Sequence, residues 1–281
     1  MRLSRRSTLL LRAGVGVGLV FIYIPLIVIG IYAFNASAIL HWPPSGLTLN
    51  WFSRAFHDSG ARDALWTSLR VALVATAIAL LLGTLASLAV GRHRFFGRET
   101  ISFLVILPIA LPGIVTGVAL SNTFTQVLGV KLSLLTVIVG HGTFCIVLVY
   151  NNVIARLRRM SGSIEEASAD LGADPWQTFR HVTLPSMRTA LVAGGLLAFA
   201  LSFDEIIVTL FTIGAGQRTL PIWIFDNLFR PNQLPIVNVV AVLLILISMI
   251  PVYLAHRLTR EEEGAAGVRG GPALREATAE P

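Results

Sequence analysis

Six long apolar runs constrain this chain more than any other feature. They cover roughly residues 13–34, 66–90, 101–120, 132–154, 187–212 and 236–256. Each is close to the ~20 mostly apolar residues that carry a helix across a hydrocarbon core. In lipid, a spanning segment must satisfy its own backbone polar groups, which restricts such runs to helices. The expectation is therefore an all-α membrane protein with six transmembrane helices. Only 13% of the 281 residues are charged and 54% are apolar, whereas a soluble domain carries about 25% charge. The net charge of +7 then reads as a topology signal, and nucleic acid is not an expected partner.

The basic residues alternate between connections. Arg2, Arg5, Arg6 and Arg12 precede the first run, and Arg92, Arg94 and Arg98 follow the second. Arg156, Arg158, Arg159, Arg180 and Arg188 surround the fourth connection, and Arg257 and Arg260 follow the sixth run. The positive-inside rule places both termini and the fourth connection in the cytoplasm. Ser4-Arg5-Arg6 and Ala36-Ser37-Ala38 mimic an export signal and its cleavage site. The apolar stretch between them exceeds the 7–15 residues of a signal core, so an uncleaved first helix is expected. Trp42, Pro43, Pro44, Trp51 and Phe52 in the first external connection suit a lid or interfacial segment. Residues 1–260 form one transmembrane domain in this reading. Residues 261–281, rich in Glu, Gly, Ala and Arg, are expected to be a disordered tail.

Lys131 is the only lysine, and no Gly-Lys-Ser/Thr surrounds it. The chain has no P-loop, so any ATP that drives it is hydrolysed by another chain. Cys145 is the only cysteine and offers neither a disulfide nor a metal framework; it reads as a small packing residue.

The fourth connection, residues 160–185, carries more local structure than a linker needs. Ser163 and Glu166 fit a capping box, Ala167 to Leu171 continue a short helix, and Gly172 ends it. Asp174 and Pro175 restart a helix as N-cap and first helical residue. Trp176, Phe179 and Val182 give that helix an apolar stripe, and Leu184-Pro185 is expected to break it before the fifth run.

This stretch resembles the cytoplasmic coupling loop of bacterial ATP-binding-cassette (ABC) importer permeases. The family pattern is Glu-Ala-Ala, three residues, Gly, nine residues, Ile, one residue, Leu-Pro. Glu166, Ala167, Gly172, Leu184 and Pro185 match in register; Ser168 stands for the second Ala and Val182 for Ile. Ser202-Phe203-Asp204-Glu205-Ile206-Ile207-Val208-Thr209, then Thr219-Leu220-Pro221, is similar to the PotC-like second permease of spermidine/putrescine (polyamine) transporters, as is Leu107-Pro108 to Gly117. The resemblance implies the type I importer permease fold, with a coupling helix between spans 4 and 5. It also implies a second permease subunit, a dimer of ABC ATPases that bind ATP and magnesium, and an extracytoplasmic substrate-binding protein. Glu166, Ala167, Gly172, Ala173, Leu184 and Pro185 would couple to the ATPase, and this chain itself would hold no cofactor. The location implied is the bacterial cytoplasmic (inner) membrane.

Asp204 and Glu205 fall inside the fifth apolar run, where a carboxylate costs about 2.5–3.5 kcal/mol on insertion scales and faces a cavity or a partner. At 100° per residue Glu205 continues the stripe of Ala190, Gly194, Ala198 and Ser202, small residues that allow close helix packing. Two readings stand open: a path for an amine, or a structural pairing, for example with Arg218. Pro108, Pro112, Gly113 and Gly117 predict a kinked or broken third span, and Pro112 is a candidate for the substrate path. His141, between two glycines, reads as a hydrogen-bonded core residue. Asn151 and Asn152 stand where they would help seat the coupling loop.

The first function expected is ATP-driven import of a small amine by alternating access. The alternative is the same machine carrying another small solute, an amino-acid derivative or an anion; the two carboxylates and the lack of a central Arg favour a cation. A membrane enzyme or channel would need a metal cluster, a nucleophile–base pair or a pore repeat. None is visible, and the coupling loop would then be unexplained.

Overall fold

A computed structural model describes residues 4–39 and 41–269, with side chains to residue 258. Twelve α-helices account for most of these residues: α1 (Arg5–Ala33), α2 (Asn50–His57), α3 (Ser59–Arg92), α4 (Arg98–Ala110), α5 (Gly113–Asn122), α6 (Leu134–Arg159), α7 (Ser163–Asp170), α8 (Pro175–Thr178), α9 (Leu184–Asp204), α10 (Ile207–Thr212), α11 (Leu220–Asn227) and α12 (Leu234–Arg269). Short π-helical turns follow α5 and α8 at Thr123–Val127 and Phe179–Thr183. Five helical stretches are long and apolar enough to cross a membrane, and the bent pair α4 and α5 makes up to six. The expected tail is helical through Arg269 as a continuation of α12; residues 270–281 lie outside the described residues, as does Arg2.

The chain divides into two units, Met1–Leu65 with Leu220–Leu246 and Trp66–Thr219 with Ile247–Pro281. In the first, Ser4 caps α1 by accepting from the Ser7 amide at 3.2 Å, and the apolar window of α1 buries nothing within the chain. The connection after α1 is folded around Asn35. Its carbonyl accepts from the Trp51 indole at 2.8 Å, and its side chain grips Ser37 O and the Ser45 amide. Trp51 is thereby buried while Trp42 stays exposed. Asp58 caps α3 through the Ala61 amide at 2.8 Å.

In the second unit, α6 and α9 form the core. Phe144, Cys145, Val149, Val153 and Leu157 of α6 pack with Met187 and Ala198 of α9 and Ala79 of α3. The backbones approach closely because Gly194 stands opposite Val149, where an added Cβ would lie 3.2 Å from the Val149 Cα. Ala190, Ala198 and Ser202 are buried with it, so the small-residue stripe does pack against a neighbour. Cys145 is buried, with Sγ 3.4 Å from Ala198 O.

Two apolar runs are interrupted. The third bends by 107° between α4 and α5, at Leu111 and Pro112, where Pro112 has no N–H to continue the ladder. The fifth ends as α9 at Asp204 and resumes as α10 at Ile207, with Glu205 extended at φ −71°, ψ 122°. Glu205 is therefore not on the helical stripe that its spacing predicts. The expected break at Leu184-Pro185 is absent too. The π-turn before it lets the Leu184 amide reach Phe179 O, five residues back. The helix thereby runs on past a proline that would strain a regular α-turn.

Candidate functional site

The connection between α6 and α9 is a compact hairpin. Helix α7 begins one residue earlier than expected, with Gly162 at the cap and no side-chain cap bond. Ser163 is its first residue, and its hydroxyl meets that of Ser161. The Ser163–Glu166 capping box does not form, which leaves Glu166 on the exposed face. The C-terminus of α7 is closed by two bonds of a Schellman turn: the Gly172 amide donates to Ala169 O at 2.9 Å and the Ala173 amide to Ser168 O at 3.1 Å. Gly172 sits at φ +85° with open space around it, so its backbone conformation, not crowding, calls for glycine. Asp174 then caps α8. Its carboxylate accepts from the Gln177 amide at 2.8 Å, and Gln177 Oε1 accepts from the Asp174 amide at 3.0 Å.

The hairpin is held to the rest of the unit from its inner side. Glu165 pairs with Arg92 at the end of α3, Oε2 to Nε 3.0 Å, and its other oxygen accepts from Thr183 Oγ1 at 2.9 Å. Ser168 and Thr178 share a hydroxyl hydrogen bond of 3.0 Å. Leu88, Arg92, Glu165, Ala173, Phe179 and Thr183 line a groove of about 410 Å³ there. The outer side is different: Glu166, Ala167 and Gly172 are exposed, beside Ile164, Leu171 (90% exposed) and Trp176. Ala173 and Leu184 are half-buried and Pro185 is exposed. Sequence reasoning passed over Glu165. Its helical spacing to Ser168 and Ala169 marks the inner face, but its partner on α3 is remote in sequence.

The second cluster lies at the two breaks. Helices α5 and α10 pack together: a Cβ on Gly113 would meet Ile207 at 3.5 Å and one on Gly117 would meet Phe211 at 2.8 Å. Gly113 follows Pro112 directly and Ile207 follows Glu205 by two residues, so the breaks are neighbours. Asp204 accepts from Ser248 Oγ of α12 at 2.7 Å. Glu205 Oε1 accepts from the Val208 amide at 2.9 Å and so caps α10. The Thr209 hydroxyl donates to Glu205 O at 2.9 Å. His141 Nε2 lies 2.8 Å from the same hydroxyl oxygen, and Nδ1 lies 2.8 Å from Ser202 Oγ. With the threonine proton committed to Glu205, Nε2 is the donor and Nδ1 accepts from Ser202. His141, fully buried, thus stitches α6 to both sides of the fifth-run break. Asn152 faces α9 beside Gly194; with Asn151, Arg156 and Thr189 it lines a cavity of about 240 Å³.

Apolar helices with two neighbouring breaks, and a capped helical hairpin between two of them, describe a membrane-spanning helical protein. The chain belongs to the family of binding-protein-dependent transport system inner membrane components, whose pattern matches residues 79–261. It is 32% identical over 255 residues to the putrescine transport system permease protein PotI of Escherichia coli (strain K12), covering 87% of this chain and 90% of that one. It is 32% identical over 242 residues to the spermidine/putrescine transport system permease protein PotC of Haemophilus influenzae, covering 86% and 93%. Its fold is that of a chain in a bacterial ABC transporter involved in the import of the acidic polysaccharide alginate, with a TM-score of 0.68, 17% identity, and coverage of 93% of this chain and 99% of that one. The chain is thus a multi-pass permease subunit of the inner membrane and an ABC importer component.

Proposed function

We propose that this permease admits putrescine, spermidine or a closely related amine to the cytoplasm by alternating access. PotI and PotC, each 32% identical to this chain, are named for those two amines. The observation that carries the reading is the pair of carboxylates at the break: Asp204, exposed in the chain and held by one hydroxyl, and Glu205 beside it. The C-termini of α4 and α9 and the N-termini of α5 and α10 meet in the same region, so their partial charges offset one another. The carboxylates are what favour an ammonium group. Pro112 contributes by opening α4 from α5. The competing view, a purely structural pairing, draws support from the bonds that Asp204 and Glu205 make to Ser248 and Val208.

The same reading places the outer face of α7 in a groove of an ABC ATPase. Glu166, Ala167 and Gly172 would touch the partner, and Ala173, Leu184 and Pro185 would shape the turn behind them. The functional assembly is this chain, a second and different permease, an ATPase dimer holding ATP and magnesium, and an extracytoplasmic binding protein. Both termini and the hairpin face the cytoplasm. The test of the amine path is to replace Asp204 by Asn and Glu205 by Gln together. Uptake of labelled putrescine is expected to fall at least tenfold in an assembled transporter, since each lost charge–ammonium contact is worth about 1.5–3 kcal/mol. Unchanged uptake with normal assembly overturns the path and leaves the structural pairing.

A further inference from the structure

We infer that Glu165 is a positioning residue that yokes the coupling hairpin to a third span, so that a push on α7 moves α3 together with α6 and α9. The inference rests on the coupling role proposed above and adds to it a route of transmission. The covalent chain joins α7 only to α6, through residues 160–162, and to α9, through the turn at Gly172 and the helix from Pro175 onward. Nothing covalent links it to α3. The link is Glu165, whose two carboxylate oxygens serve two different elements: Oε2 pairs with Arg92 Nε at 3.0 Å, and Oε1 accepts from Thr183 Oγ1 at 2.9 Å. Arg92 is the last residue of α3, and Thr183 is the last residue of the π-turn that leads into α9. One side chain therefore ties α7 to the cytoplasmic ends of two spanning helices.

The environment makes this tie more than a solvated surface pair. The two side chains are only 22% and 21% exposed, and Thr183 is buried. Arg92 Nε and Nη2 are both buried with no hydrogen-bond partner among the described residues, so the 3.0 Å contact with Glu165 holds as an ion pair and not as an aligned hydrogen bond. The guanidinium has no second carboxylate to fall back on: Glu165 is its only ion pair among the described residues. Screening by water and salt, which removes most of the value of exposed pairs, is correspondingly reduced. The geometry also separates labour between adjacent glutamates. Glu165 points inward to its own chain, and Glu166, one residue or 100° further round α7, faces out. A docking partner can bear on the outer face without competing for the tie.

The experiment uses the complete transporter, both permeases with the ATPase dimer and binding protein, in proteoliposomes. Transported putrescine per ATP hydrolysed is measured for wild type, Glu165→Gln, Arg92→Gln and the exchanged pair Glu165→Arg with Arg92→Glu. Glu165→Gln is expected to assemble and to hydrolyse ATP, yet to lower the transport-to-ATP ratio about fivefold, within the range of coupling changes caused by residues between sites. Arg92→Gln should match it, and the exchange should recover at least part of the ratio. A ratio unchanged in Glu165→Gln, or a loss explained by failed assembly and not recovered by the exchange, overturns the yoke. Binding of the ATPase dimer to the permeases is scored separately with Gly172→Arg: if that variant still couples normally, the coupling role itself fails, whatever Glu165 does.

Discussion

The coupling hairpin and the break at Glu205 are both interruptions of helix, but they are stabilised in opposite ways. In the hairpin, the amides of Gly172, Ala173, Asp174 and Gln177 all find partners within five residues. Gly172 and Ala173 donate back to α7, and Asp174 and Gln177 cap one another. At the break, Glu205 bonds locally to Val208 and Thr209, but further partners come from elsewhere in the chain: Ser248 on α12 holds Asp204, and His141 on α6 joins Ser202 to Thr209 across the gap. A locally satisfied turn can be displaced as one rigid piece. A break held by three elements changes only when those elements move. The hairpin is thus suited to receive a push and the break to respond to one.

Variants can pull this contrast apart. Gly172→Arg has the largest expected effect. A side chain at φ +85° is strained by about 1–2 kcal/mol, and its bulk lies on the face proposed to dock the ATPase; uptake should drop to the level of a gene deletion while the permease still reaches the membrane, checked by immunoblot. Next is His141→Leu. It leaves Ser202 without its partner in a buried site and should lower stability by about 2 kcal/mol, read as a shift in thermal unfolding of the purified transporter. Uptake should fall with it, since the break loosens. Asp174→Ala is the smallest. It removes one cap worth about 1 kcal/mol, and uptake at moderate temperature should be close to normal. If Asp174→Ala is as damaging as His141→Leu, the hairpin is not the self-contained piece that its hydrogen bonds indicate.

The same contrast explains what could be read in advance. Gly172, Asp174 and Pro175 act through neighbours in sequence, so their roles follow from spacing alone. Pro112 breaks its run for the same reason, by lacking a donor. Spacing alone puts Glu205 on a continuous helix, in line with the Ala190–Ser202 stripe. Its extended backbone rests on Thr209 and, through it, on His141, contacts that no local pattern encodes. Ser163 lost its capping role to Gly162, since Ser161 and Ser163 bond to each other and the helix starts a residue sooner. Pro185 failed to end the helix because a π-turn ahead of it absorbs the missing donor. Glu165 escaped notice because its partners, Arg92 and Thr183, are brought to it only by the packing of α3 and α9 against the hairpin. The apolar runs and the local turns of the hairpin are legible in the sequence; the long-range pairings of Glu165, Asp204 and His141 are not.

The most direct measurement is uptake of labelled putrescine and spermidine by cells with and without this gene, with unlabelled amino acids and other amines as competitors and other amine transporters removed. The account predicts that deletion abolishes uptake, that the intact gene restores it, and that only amines compete. Undiminished amine uptake in the deletion strain, or restoration of a different solute's uptake by the gene, would contradict it.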